Sequence, residues 1–310
     1  MCGIVGYSGK RSAQEVLLNG LEKLEYRGYD SAGVALALEG GIHVVKSKGR
    51  LEVLRRKLEA ENLPESFCGI GHTRWATHGE PSELNAHPHE SDDGLVVGVH
   101  NGIIDNYQAL RKRLEEQGCV FRSSTDSEVI AHLIAKLYQG DLVQAVAAAI
   151  RKLSGTYGIA VVSSRHPGMI AAARKGSPLV IGLGTNENIA ASDLAAILPY
   201  TRQVMYLNDG DIAAITADTV EVRNIENVPL EREVTRIEWD ADAVEKGSYP
   251  HFMLKEIFEQ PETIENAIRG RLDHEMKSAI LSGLNLTPRE SAQISRIVIA
   301  GCGSSMHAGL

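Results

Sequence analysis

Met1-Cys2-Gly3-Ile4-Val5-Gly6-Tyr7 opens the sequence, and its reading decides the rest. Gly3 to Tyr7 is a short apolar run without helical period, which predicts a buried strand. Behind it Val16, Leu17, Leu18, Leu21 and Leu24 recur at helical spacing, so a strand feeds a helix at the start of the fold. Ahead of the strand stands a cysteine that removal of Met1 would leave with both a thiol and a free α-amine. An unperturbed α-amine titrates at about 7.7 to 8 and a thiol at about 8.5, so near neutrality the amine can accept the thiol proton. Nucleophile and base would sit on one residue, which suits acyl transfer from an amide through a thioester. Taken alone, a cysteine at position 2 reads as an accident; the motifs downstream reverse that reading.

Outward from this strand, Tyr26-Arg27-Gly28-Tyr29-Asp30-Ser31 is turn-rich and leads into the apolar run Ala32 to Leu38, with a partner strand through Ile42 to Val45. Leu51, Leu54 and Leu58 predict a surface helix, and Cys68 to Gly71 and Leu95 to Val99 predict buried strands with a polar loop between them. Leu110 and Leu114 ahead of Gly118 predict a helix with a glycine stop. Thr125 to Glu128 matches a capping box before a helix running to Tyr138. Further strands are predicted at Gly158 to Ser163, Met169 to Ala173, Leu179 to Gly182, Val204 to Leu207, Ile212 to Thr216 and Val220 to Ile225. Strands this short and closely spaced imply largely antiparallel sheets. Glu226 to Pro250 is acidic and weakly periodic and reads as a linker, Phe252 to Ile268 turns helical, and Arg296 to Ala300 predicts a new strand.

A length of 310 residues fits two units: 2–225, and 251–310 beyond a linker at 226–250. A net charge of -8 argues against phosphate backbones and anionic lipid as partners. No apolar run reaches the roughly 18 residues of a membrane helix and no signal peptide opens the chain, so a cytoplasmic protein is expected. Cys2, Cys68, Cys119 and Cys302 are widely spaced and form no C-x-x-C pair, so neither a disulfide framework nor a thiolate zinc site is suggested.

His72-Thr73-Arg74-Trp75-Ala76-Thr77-His78-Gly79 reads as a loop too polar for a core. Arg74 can grip a carboxylate with two parallel hydrogen bonds, or sit in a surface salt bridge. Trp75 can anchor packing or cover a substrate passage. Asn101-Gly102 offers a side-chain amide and an unobstructed backbone N–H at a strand end, two donors for an oxyanion; the same dipeptide also signals an ordinary turn, which spacing alone favours. Asp126 reads first as a helix-start residue held ionised by the helix dipole, and an ionised Asp126 can also bind an ammonium group. His72, His78, His87, His89 and His100 read as hydrogen-bonding loop residues rather than zinc ligands, and no metal or cofactor is expected.

Together Met1 to Gly6, Tyr26 to Gly33, His72 to Ser82, Asn85 to His89, His100 to Gly102 and Thr125 to His132 resemble the class II glutamine amidotransferases. With His251 to Pro261, which is similar to an interdomain joint, they point to the members that aminate fructose 6-phosphate. The resemblance implies an α+β fold, the four-layer αββα N-terminal-nucleophile hydrolase sandwich, followed by the truncated start of an α/β sugar-isomerase domain. It implies Cys2 as nucleophile, Asn101 and Gly102 as oxyanion hole, and Arg74, Thr77, His78 and Asp126 around L-glutamine. Trp75 would sit on the route of departing ammonia, and Arg27 near the glutamine pocket or domain interface. Ile297 to Ala300 followed by Gly301-Cys302-Gly303-Ser304-Ser305 reads as a strand, turn and helix start suited to a sugar phosphate. Dimers are implied for longer members, through the part absent from this sequence.

Overall fold

Strand β1 (Gly3–Ser8) is buried along its whole length, and its alternation explains the architecture. Ile4 packs into one cluster of buried side chains while Val5 and Tyr7 pack into another, because successive side chains of a strand point to opposite faces. With both faces covered, the strand must be apolar throughout, which is why its sequence shows no polar alternation. The computed structural model describes residues 2–76, 79–238, 249–268, 272–273, 278–279, 289–290, 293–301 and 304–310.

Chain order continues through α1 (Ala13–Leu24), β2 (Ser31–Leu38), β3 (Gly41–Lys48), α2 (Leu51–Glu61), β4 (Cys68–Arg74), β5 (His89–Glu90), β6 (Val96–Ile104), α3 (Tyr107–Glu116), α4 (Glu128–Leu137) and α5 (Leu142–Ile150). Strands β7 (Gly155–Ser163), β8 (Ile170–Lys175), β9 (Val180–Leu183), β10 (Asn188–Ala191), β11 (Gln203–Tyr206), β12 (Ile212–Ile215), β13 (Val220–Arg223), β14 (Pro229–Leu230) and β15 (Val234–Arg236) follow. Eight strands form one sheet in the order β15-β11-β9-β10-β1-β4-β2-β3, and seven form the other in the order β14-β13-β12-β8-β7-β6-β5. Neighbours run antiparallel, as in β1 with β4 and β6 with β7.

The sheets face each other across Ile4, Ile70 and Ala190 on one side and Val99, Ala160 and Ala172 on the other. Leu17 and Leu21 of α1 and Leu54 of α2 cover the outer face of the first sheet, and Leu114, Ile134 and Val146 of α3, α4 and α5 cover that of the second. Full burial of each such leucine or isoleucine contributes roughly 1.5 to 3 kcal/mol. This layering is the expected αββα sandwich. Helix α1 begins at Ser12, whose hydroxyl accepts the Glu15 N–H at 3.5 Å, and its period matches the sequence because one face meets the sheet and the other water.

Two expectations change here, and one helix has no counterpart in the sequence reading. Helix α5 carries no amphipathic period to read, since seven of its nine residues are buried; Asp141 caps it by accepting the Gln144 N–H at 3.1 Å. The segment read as a linker from residue 226 holds β14 and β15, which pair with β13 and β11 and so extend both sheets; residues 239–248 of that reading lie outside the described residues. The capping box at Thr125 to Glu128 does not form. Helix α4 starts at Glu128 without a side-chain cap from Ser127, and Glu128 instead accepts the N–H groups of Arg122 and Ser123 at 2.8 and 2.7 Å, closing the preceding loop.

Residues Met1–Val244 and Glu245–Leu310 form separate units. In the second, α6 (Phe252–Ile268) matches the sequence reading and contains Pro261, and Tyr249 stacks on Phe258 with ring centroids 5.7 Å apart. Arg296 to Ala300 is not a strand. Ile297, Val298 and Ile299 are 80%, 74% and 67% exposed, and no strand lies beside them among the described residues to complete a ladder. Ser304 and Ser305 begin the short helix α7 (Ser304–Gly309), while Cys302 and Gly303 lie outside the described residues.

Candidate active site

Register places the nucleophile. Gly3 pairs with Thr73 and Ser31 with Arg74, so Cys2 emerges beside the end of β4. There the Trp75 N–H donates to Cys2 Sγ at 3.2 Å, and the thiol reaches the Trp75 carbonyl at 3.6 Å. Burial pushes the Cys2 thiol above its ordinary value, against the downward pull of the Trp75 N–H. The Tyr26 to Ser31 segment holds this corner. A side chain at Gly28 would put its Cβ 2.7 Å from the Arg74 carbonyl carbon and 2.8 Å from its oxygen, so only glycine lets the two backbones close. Asp30 accepts the Ala76 N–H through Oδ2 and the Ser31 hydroxyl through Oδ1.

Asn101 and Gly102 do not form a turn. Strand β6 runs on to Ile104, with Asn101 paired to Gly158 and Gly102 to Tyr157. Asn101 Nδ2 donates to the Cys2 carbonyl at 3.1 Å, and His72 Nε2 meets Asn101 Oδ1 at 3.0 Å. Both carbonyl oxygens can only accept, which fixes the amide orientation and places the imidazole proton on Nε2. Burial pushes His72 down to about 3, so the ring is neutral. The link crosses from β4 in one sheet to β6 in the other and orients the Asn101 amide. Gly102 has φ 134°, and a Cβ there would lie 2.1 Å from the Thr156 carbonyl oxygen.

His72, Thr73 and Arg74, expected in a polar loop, are strand residues only 0%, 1% and 4% exposed. Arg74 bonds backbone beyond the strand end, Nη2 donating to the Gly79 carbonyl at 3.0 Å and Nη1 to that of Glu80 at 3.4 Å, whereas His72 Nδ1 and Thr73 Oγ1 make no hydrogen bond among the described residues. Asp126, also buried, accepts the Ile104 N–H at 2.8 Å through Oδ2, so it locks a loop onto the end of β6 rather than capping a helix. Trp75 is not a core anchor: it is 50% exposed, with Tyr29 edge-on at 5.8 Å. Cys2, Arg74, Trp75, Asn101, Gly102 and Asp126 line one cavity of about 370 Å³. Arg27 also lines it and is ion-paired with Asp193 at 2.7 Å. Thr77 and His78 lie outside the described residues.

His100, Thr125 and Ser127 also line the cavity, and His72 stands behind Asn101; the motifs contain all four, but the sequence assigned none of them a role. His100 Nδ1 bonds Ser127 Oγ at 2.8 Å, His87 Nδ1 accepts the His100 N–H at 3.1 Å, and His89 Nε2 bonds Thr125 Oγ1 at 3.0 Å. They are hydrogen-bonded interior groups, as the sequence suggested; His72, His89 and His100 belong to strands, and His87 to the buried loop before β5. Burial drives His72, His87, His89 and His100 all below their ordinary value. Burial raises Glu128, but the approach of His132 and the bonds from Ser123 and Arg122 outweigh it and hold the carboxyl at about 2.

Each of these groups binds its proton more readily in the unfolded chain. The histidines' contribution is therefore present above about pH 6.5 and lost as pH falls below it; that of Glu128 is lost from about 4.5 downward. Urea unfolding at about pH 7, 6 and 5 should show stability falling with a slope above one proton, about 1.4 kcal/mol per pH unit. A flat profile across that range would contradict neutral buried imidazoles.

Comparison with known proteins fits this geometry. Residues 72–199, which include His72, Arg74, Asn101 and Asp126, match the family described as Glutamine amidotransferase domain. Cys2, at the head of β1, lies ahead of the matched stretch. Over its whole length it is 52% identical to the glutamine–fructose-6-phosphate aminotransferase (isomerizing) of Symbiobacterium thermophilum, covering 51% of that protein. It is 48% identical to the enzyme of the same name from Thermus thermophilus, covering 50% of it. The chain thus spans about half the length of the curated relatives it matches. Among solved structures, glutamine phosphoribosylpyrophosphate amidotransferase from B. subtilis superimposes on 72% of this chain and 49% of its own, with TM-score 0.62 and 25% identity. No helix among the described residues is long and apolar enough to cross a membrane.

Proposed function

We propose that the chain hydrolyses L-glutamine at Cys2, as the glutaminase half of an aminotransferase whose remaining part directs the ammonia to fructose 6-phosphate. The observation that carries this is one cavity in which a thiol, an oriented carboxamide, a guanidinium and a carboxylate converge. Arg74 takes the α-carboxylate of glutamine and Asp126 its α-ammonium, which holds a free amino acid by both charges and leaves its side-chain amide toward Cys2. Thr77 and His78 belong to the same binding set by their place in the motif.

Once Met1 is removed, the α-amine of Cys2 accepts the thiol proton, which the desolvated thiol would otherwise keep. Sulfur attacks the amide carbon and the carbonyl electron pair moves onto oxygen. Asn101 Nδ2–H and the Gly102 N–H stabilise that oxyanion, with His72 preventing the amide from turning. The protonated amine returns its proton to the leaving nitrogen, ammonia departs, and water cleaves the thioester to glutamate. Trp75, exposed at the mouth, covers the path of ammonia. Residues 251–310 are the start of a sugar-isomerase domain, with Cys302 to Ser305 as its phosphate loop, and longer forms pair as homodimers in the cytoplasm.

The test is glutamate release by the processed chain, with glucosamine 6-phosphate measured alongside in the presence of fructose 6-phosphate. Glutamate without the amino sugar is expected. Asn101→Ala should lower kcat by about 10²- to 10³-fold with little change in KM, because it removes an interaction made in the transition state. A change confined to KM would remove Asn101 from the oxyanion hole.

A further inference from the structure

A second cluster of ligating groups lies away from the glutamine cavity, behind α4. Asp92 sits in the turn between β5 and β6, Cys119 follows α3, and His132 lies on α4. One ligand atom from each falls within 4.8 Å of the others. His132 is fully buried, and neither ring nitrogen makes a hydrogen bond among the described residues. Nδ1 faces Asp92 Oδ1 at 3.4 Å and Nε2 faces Glu128 Oε1 at 3.5 Å. A buried imidazole without hydrogen bonds is costly, and here one nitrogen is aimed at a carboxylate beside a thiol. Phe121, its ring 4.4 Å from that of His132, closes one side.

We propose that Asp92, Cys119 and His132 bind a divalent cation of the zinc type. Thiolate, imidazole and carboxylate together suit zinc rather than magnesium or calcium, which take oxygen ligands. Zinc bonds of about 2.0 to 2.3 Å place tetrahedral ligands roughly 3.3 to 3.8 Å apart, so the cluster closes by about 1 Å. Asp92 can supply that movement, since its side chain is 28% exposed and stands on a turn. The same exposure lets water complete the shell. Glu128 is placed to accept the Nε2 proton of His132, the carboxylate–imidazole arrangement that turns the other nitrogen toward a metal. On binding, the Cys119 thiol gives its proton to solvent and the Sγ–metal bond replaces the S–H bond. Lys136, one turn further along α4 and near Cys119, swings to solvent. Cys119 and His132 bracket Ser123 to Ser127, so the cation would tie down the loop that carries Asp126. The sequence hid this set because its three members come from separate elements and no C-x-x-C or helical histidine pair announces them.

The experiment is titration of the metal-stripped full chain with Co²⁺ alone, followed by Zn²⁺ competition. One cobalt per chain with a thiolate-to-cobalt charge-transfer band, displaced by zinc, is expected. The band should vanish in Cys119→Ser, persist in Cys2→Ala, and need at least about tenfold more cobalt in the exposed-turn variant Asp92→Asn. Absence of the band in the folded wild-type chain would overturn the site. A band that survives Cys119→Ser, or disappears in Cys2→Ala, would place the cation elsewhere and overturn it equally. Neither result bears on glutamine hydrolysis, which is read separately from glutamate release.

Discussion

Replacing Cys2 by alanine should abolish the proposed glutamate release, by at least roughly 10⁴-fold, while leaving the fold intact. The size follows from the chemistry. Without sulfur no thioester forms, and the remaining donors of Asn101 and Gly102 can only assist a water attack that the site does not position. The fold should persist because Cys2 stands at the end of β1 and is only half-buried, its side chain bonded to the backbone of Trp75. Glutamate assay and urea midpoint on the same preparation check both halves. Retained hydrolysis in the variant would move the nucleophile to another residue.

Gly102→Ala should damage both stability and activity. The glycine has φ 134°, where side chains are strained, and its Cβ would fall 2.1 Å from the Thr156 carbonyl oxygen of the paired strand. Neither atom can yield without opening the β6–β7 ladder. The combined strain and overlap cost roughly 2 to 5 kcal/mol. Relief by backbone displacement would carry Asn101 away from Cys2, and a shift of about 1 Å at such a position costs on the order of 10²-fold in rate. Urea unfolding and kcat, measured on the folded fraction, read the two effects independently. A variant with native stability would show that the strand pair tolerates a side chain there.

Most of the sandwich was legible because its strands and outer helices follow simple periods. β1, β2, β7 and β12 read as apolar runs since both of their faces are covered, and α1, α2 and α3 kept the helical period of elements packed on one side only. Helix α5 escaped because burial nearly all round erased that period. β14 and β15 escaped because they are two and three residues long and largely exposed at sheet edges, too short to show a strand period within an acidic segment. Arg296 to Ala300 failed in the opposite sense: strand propensity without a neighbouring strand does not make a strand.

At the candidate site the sequence supplied residue types but not their settings. Cys2, Arg74, Asn101, Gly102 and Asp126 line one cavity. The residue that orients Asn101 was obscure, since a link between His72 on one sheet and Asn101 on the other depends on how the sheets stack. Asp126 read as a helix cap because Thr125 to Glu128 has the right spacing for one. In the structure its carboxylate satisfies the Ile104 N–H, and Glu128 turns back onto the loop. Local pattern lost to a tertiary hydrogen bond in each case.

The most direct test of the account is to mix the processed chain with glutamine, quench in acid within the first turnovers, and weigh the N-terminal peptide. A γ-glutamyl adduct on Cys2 that decays as glutamate accumulates is the predicted result. An adduct on any other residue, or glutamate formed at full rate in a chain whose Cys2 is never acylated, would contradict it.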